Sequence, residues 1–151
     1  MKNIISRRIS KNIKKKVTIP KEGIQELRNE RGQLLYCKDR YGFEKWYKYN
    51  KQGLLIYFRD SSGLKKWYKY NEQGLLIHYK DSRGFEEWKV YNDKGLIKYY
   101  KNSRELEEWY EYNEQGYQIH SINSDGFETW IQYNNDRDIL HYRDSTGYEY
   151  C

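Results

Sequence analysis

No apolar run in this sequence approaches the roughly twenty residues needed to span a bilayer. The N-terminus has charges but lacks the apolar block that a secretory signal places behind them. These two absences predict a cytoplasmic protein with no membrane partner. Cysteine occurs twice, at Cys37 and Cys151, far apart and without the spacing of a disulfide framework or a metal site, so both should be free thiols. A glycine-rich phosphate loop, a nucleophile elbow and a Cys/His cluster are all missing, which predicts a chain that is not an enzyme and carries no cofactor. Phenylalanine is scarce as well, 4 residues against 18 tyrosines. A ring with a wet end suits a thin layer better than a deep core.

What is present is a repeat. Tryptophan returns at 46, 67, 88, 109 and 130, tyrosine-asparagine at 49/50, 70/71, 91/92, 112/113 and 133/134, and glycine at 32, 53, 74, 95 and 116, all on a 21-residue beat. Self-similarity at such a period marks an architecture in which each unit buries apolar surface only against its neighbours. Six copies start at 32, 53, 74, 95, 116 and 137, so residues 22–151 form the repeat domain. Residues 1–21 form a separate leader with eight basic side chains and no acid, while the remainder holds 20 basic against 22 acidic residues. Within the leader, Ile5, Ile9, Ile13 and Val17 recur every fourth residue, the spacing of a short helix that Pro20 would stop and that could cap the sheet.

Each copy carries two turn signals of the form Asp/Asn-x-x-Gly, as in Asp81–Gly84 and Asn71–Gly74. Asp or Asn opens such a turn and a positive-φ Gly closes it. The six- and seven-residue runs between them, rich in Tyr, Trp, Ile and Leu, are strands, and the sum is an antiparallel meander. A three-residue loop at Ser82–Gly84 sets Asp81 against Phe85, Lys80 against Glu86 and His78 against Trp88. Over all copies it predicts the charge pairs Lys38/Glu44, Lys101/Glu107 and Arg143/Glu149 and the ring pairs Tyr36/Trp46, Tyr57/Trp67 and Tyr99/Trp109. Arg59/Lys65 is a like-charge exception. Parity adds a constraint: a 21-residue unit with two odd loops would send successive tryptophans to opposite faces, so one loop must be even or a bulge must intervene. A four-residue loop at Asn71–Gly74 meets it, with Tyr70 opposite Leu75 and Tyr68 opposite Ile77. All tryptophans then share one face, and the long all-β sheet should curl or coil.

The spacing Tyr-Asn-x-x-Gly-Leu-Leu-Ile-x-Tyr-x-Asp-Ser-x-Gly, as in Tyr70–Gly84, resembles the YD repeat of RHS and related bacterial proteins and is loosely similar to MORN-type repeats. The resemblance covers residues 29–151 and implies a tyrosine-led hairpin unit. In the large RHS proteins such repeats wind into a hollow shell around a toxin. Here only the hairpin-sheet architecture is expected to carry over.

Candidate sites follow from the faces. Trp46, Trp67, Trp88, Trp109 and Trp130, with Tyr57, His78, Tyr99 and His120 in the neighbouring column, form an aromatic stripe flanked by charges, which suits a protein partner. The compact size and lack of catalytic motifs fit an inhibitor or immunity protein of a bacterium or phage. The alternative is nucleic-acid binding by Arg7, Arg8, Lys11, Lys14, Lys15 and Lys16, with the aromatic stripe stacking on bases. Equivalent histidines lie two strands apart, roughly 9.6 Å, too far for one metal ion, so His78, His120 and His141 read as ring-for-ring replacements of tyrosine. Asp144-Ser145-Thr146-Gly147 reads as a turn rather than an aspartyl-protease loop. An uncovered sheet edge would allow a homodimer.

Overall fold

The computed structural model describes residues 16–18 and 23–151, where fourteen strands follow one another and no helix occurs. The chain divides into two units, Met1–Lys65 and Lys66–Cys151. In the first, β1 (Lys16–Thr18), β2 (Gln25–Arg28), β3 (Leu34–Lys38), β4 (Glu44–Tyr49) and β5 (Leu55–Asp60) pair antiparallel in chain order. The second opens at β6 (Lys65–Tyr70), whose first residue falls at the boundary. It continues through β7 (Leu76–Asp81), β8 (Glu86–Tyr91), β9 (Ile97–Asn102) and β10 (Glu107–Tyr112) to β11 (Gln118–Asn123), β12 (Glu128–Tyr133), β13 (Ile139–Asp144) and β14 (Glu149–Tyr150). These also pair antiparallel, each with the next. The fold is an all-β meander of hairpin repeats.

Every turn is locked by the side chain that opens it. Asp81 Oδ1 accepts the backbone N–H of Arg83 at 2.8 Å and of Phe85 at 3.2 Å, while Gly84 N–H closes on the Asp81 carbonyl. Asn92 repeats this with Lys94 and Leu96, both at 3.0 Å. The closing residue takes the left-handed region, φ +91° at Gly84 and +78° at Gly95. Glu105 and Arg137 stand where glycine stands elsewhere and hold φ of 66° and 78°, a conformation that strains a residue with a Cβ.

The first hairpin register is as the sequence predicts, with His78 opposite Trp88 and Lys80 opposite Glu86. The second is not. Asn71 N–H donates to the Leu75 carbonyl and Gly74 N–H to Asn71, so this loop also has three residues, and Tyr70 faces Leu76 while Tyr68 faces Tyr79. The expected four-residue loop is replaced by a bulge that leaves Ile77 unpaired between Lys69↔His78 and Tyr70↔Leu76. The same shift skips Leu35, Ile56, Lys98, Ile119 and Leu140. The Asx turn chemistry is the same at both ends of the strand, so the parity correction moves into the strand itself.

A bulge displaces backbone groups from the ladder, and here a phenol recovers them. The β7–β8 ladder ends at His78↔Trp88, and beyond it the Leu76 carbonyl accepts the Tyr91 hydroxyl at 2.8 Å. Tyr112 bonds Ile97 at 2.7 Å, Tyr133 bonds Gln118 at 3.1 Å and Tyr49 bonds Leu34 at 3.0 Å in the same way. This is why the Tyr-Asn column is tyrosine and not phenylalanine. At the opposite end of the strands, the serine after the Asx residue clamps successive hairpins. Ser103 N–H donates to the Glu86 carbonyl at 2.8 Å, and Glu86 N–H returns a bond to Ser103 Oγ at 3.0 Å.

Among the described residues no hydrophobic side chain is fully buried, and Asn102 is the one buried polar residue. Neither unit has a closed core. Stability therefore rests on cross-strand pairs and half-covered rings, as expected of units that contact only their neighbours.

The leader lies almost wholly outside the described residues. Of the helix over Ile5, Ile9, Ile13 and Val17, only Val17 is described, and it is strand, facing Leu27 across β1 and β2. A Lys-Val-Thr segment with a β-branched pair suits an edge strand. Ile5, Ile9, Ile13 and Pro20 lie outside the described residues.

Replacing Tyr91 by Phe leaves the ring but removes the donor to the Leu76 carbonyl. The expected cost is about 1 kcal/mol in a urea unfolding curve, against no measurable cost for Tyr41→Phe, whose ring is 80% exposed.

Candidate protein-binding face

The register within the second unit places Trp67, Trp88, Trp109 and Trp130 on one side of the sheet. Trp67 faces Lys80, which shares a side of β7 with His78, and His78 faces Trp88. The same two-step relation carries Trp88 through Lys101 and Tyr99 to Trp109, and Trp109 through Ile122 and His120 to Trp130. The bulge thus achieves what the even loop was expected to do. Trp46 occupies the equivalent position on β4, opposite Tyr36 and Arg59.

Four of the rings are flanked on one side by an aromatic partner. Tyr36 and Trp46 have centroids 5.6 Å apart, His78 and Trp88 5.4 Å, Tyr99 and Trp109 5.4 Å, and His120 and Trp130 5.5 Å. On the other side the partner is often a cation. Arg59 lies 4.1 Å over Trp46, Lys80 5.5 Å over Trp67 and Arg143 4.5 Å over Trp130. Cation–π contacts of this kind contribute about 0.5–2 kcal/mol. Arg59, which had no partner by charge pairing, finds one in Trp46. The sequence offers these cations only as members of charge pairs, whereas the column Lys38, Arg59, Lys80, Lys101, Arg143 is legible as a neighbour of the indoles once the register is known. Tyr57, on β5, has the Lys48 ammonium 5.4 Å over its ring.

A glutamate column ties these rows together. Tyr36 donates to Glu44 at 2.7 Å and Tyr99 to Glu107 at 3.0 Å, while His78 Nε2 meets Glu86 at 2.7 Å. Histidine thus presents its ring nitrogen where tyrosine presents its hydroxyl, the geometry of a ring-for-ring replacement. Lys38 reaches Glu44 at 3.4 Å and Lys101 reaches Glu107 at 2.6 Å, two of the predicted charge pairs. Lys80 and Arg143 face Glu86 and Glu149 in register, but their charges lie over Trp67 and Trp130. The glutamates take His78 and His141 instead.

The opposite side is also aromatic, with Tyr68–Tyr79 at 5.2 Å and Tyr142–Tyr150 at 5.4 Å. Asp144 Oδ1 is occupied by its own turn, accepting Thr146 Oγ1 at 2.6 Å and Thr146 N–H at 2.9 Å. Arg7, Arg8, Lys11, Lys14 and Lys15 lie outside the described residues, and Lys16 opens β1.

Charge is divided along the repeats in a way that totals conceal. Residues 31–101 hold 16 basic and 8 acidic side chains, whereas 102–151 hold 3 basic and 11 acidic. The later copies present their tryptophans among carboxylates.

The Tyr36 hydroxyl holds the Glu44 carboxyl below its usual range, and burial with that same bond pushes the Tyr36 phenol up. Lys101, then Tyr99, likewise hold Glu107 down. A carboxyl lowered in the folded state stabilises the fold above the ordinary carboxylate pKa. That contribution is lost as pH falls through the lowered value. Glu107→Gln should therefore flatten the fall in urea stability between about pH 5 and about pH 2 relative to the parent chain.

No family model matches this sequence, and no curated protein matches it. Solved structures do. The chain aligns with a structure of the Photorhabdus luminescens Tc holotoxin pore carrying a TccC3 mutation, at 16% identity over 79% of its length with a TM-score of 0.63. It aligns with a TcdB2–TccC3 crystal structure at 14% identity over 78% of its length with a TM-score of 0.64. It spans about 7% of the length of either of those chains. The likeness is one of fold: the chain is built as an RHS-like β-repeat.

Proposed function

We propose that this chain is a non-catalytic repeat module that binds a protein partner through its tryptophan face and acts by occupying that partner, as an inhibitor or immunity protein does. The observation that carries the reading is the absence of any fully buried hydrophobic side chain among the described residues, in a sheet paved with rings on both sides. Half-covered aromatic surface of this extent gains free energy when a partner covers it, and Trp, Tyr and Arg are the residues that dominate such contacts. An array of repeats offers them at regular intervals.

The structures of like fold are those of a Tc holotoxin pore and a TcdB2–TccC3 assembly, which makes a toxin-type setting a natural place for such a module. The chain would then serve as an antagonist of a toxin component. Binding of nucleic acid across the later copies is disfavoured by the 11 acidic against 3 basic groups of residues 102–151.

The test is a pull-down from the native host with the parent chain and with a Trp88→Thr/Trp109→Thr variant whose circular dichroism and melting match the parent's. A stoichiometric protein captured by the parent and lost by the variant is expected. Equal capture by both, or no stoichiometric partner for the parent, overturns the reading.

A further inference from the structure

One row of the tryptophan face departs from the others. The column that places a cation beside tryptophan reads Lys38, Arg59, Lys80, Lys101, Ile122 and Arg143, so it is basic in every copy but one. Ile122 stands opposite Trp109. Arg59, Lys80 and Arg143 cover their rings, whereas Trp109 has an aliphatic neighbour and is 41% exposed, the only tryptophan among the described residues that is exposed rather than half-buried.

The surroundings of Trp109 carry the opposite charge. Residues 103–133 contain seven acidic side chains and a single basic one, Arg104. Glu111 lies two residues beyond Trp109 on the same side of β10, its side chain 70% exposed, and among the described residues its ion-pair contact is with His120 Nδ1 at 3.8 Å. Glu128 faces Ile122 across β11 and β12, and its contact with His120 Nε2 is 3.6 Å. Both separations exceed hydrogen-bond length, so these carboxylates remain open to a stronger donor. Glu107, by contrast, is already held by Tyr99 and Lys101.

We infer that Trp109, with Glu111 on its own strand and Glu128 beyond Ile122 on the same side of the sheet, is the seat for a cationic side chain, arginine or lysine, that the partner protein supplies. The inference rests on the protein-binding reading and names the chemistry of that partner at one point. An exposed indole face attracts a cation, the two carboxylates complement its charge, and the fold repeats this arrangement elsewhere with cations of its own. The missing cation at position 122 is what leaves this ring free for a visitor.

The test uses fluorescence anisotropy of labelled arginine-rich, lysine-rich and glutamate-rich peptides of equal length, at low and high salt. The proteins are the parent, Trp109→Leu and Ile122→Arg. Ile122→Arg restores the residue type of the column and should place the chain's own guanidinium over Trp109, so its fold is expected to persist. Binding of the basic peptides to the parent, weakened roughly three- to thirtyfold in both variants, with no binding of the glutamate-rich peptide, is the expected result. Basic peptides that bind all three proteins alike, or none at low salt, overturn the inference. In the pull-down, a partner kept by Ile122→Arg but lost by the Trp88→Thr/Trp109→Thr variant would leave the protein-binding reading standing and remove this one.

Discussion

The bond from the Tyr91 hydroxyl to the Leu76 carbonyl, repeated at Tyr49, Tyr112 and Tyr133, is the contact that recurs with the bulge on the 21-residue period. Two three-residue loops per unit would alternate the faces of successive tryptophans, and the bulge at Ile77 restores parity. A bulge carries a backbone carbonyl away from the ladder, where an unmet acceptor in a half-covered sheet is costly. A phenol at the next Tyr-Asn position supplies the donor while its ring covers the neighbouring strand. The unit can therefore follow itself in register, because each copy corrects the parity and meets the carbonyl that it leaves.

The second constraint is thinness. Without a fully buried hydrophobic side chain among the described residues, each hairpin depends on its neighbours for ring pairs, serine clamps and ion pairs. Such a layer holds together by many contacts of about 0.2–1 kcal/mol rather than by a core. It also leaves aromatic surface facing outwards. The fold and the proposed binding face thus share one cause, since the residues that stabilise the sheet are those a partner would touch.

Much of this was legible in the sequence. The Asx-Gly turns, the first hairpin register and the common face of the tryptophans follow from spacing and alternation. The bulge was not legible, because an even loop and a bulge satisfy parity equally and Asn71 differs in no local way from Asp81 in the turn it nucleates. The serine clamp at Ser103 joins residues 17 apart in sequence and needs the register before it can be seen. The cation column was readable but was treated as one half of charge pairs, whereas Lys80 and Arg143 lie over indoles. The division of charge at about residue 101 was hidden because the two halves nearly cancel.

A tryptophan face that binds a partner is covered where the protein works. Photo-oxidative footprinting read by mass spectrometry, on the purified chain and on the chain in its native host, measures this without knowledge of the partner. Trp109 should react readily in isolation and be protected in the host, while Tyr41, on the turn Asp39–Gly42, reacts equally in both. Equal oxidation of Trp109 in the two settings would mean that nothing occupies this face, and would contradict the central claim.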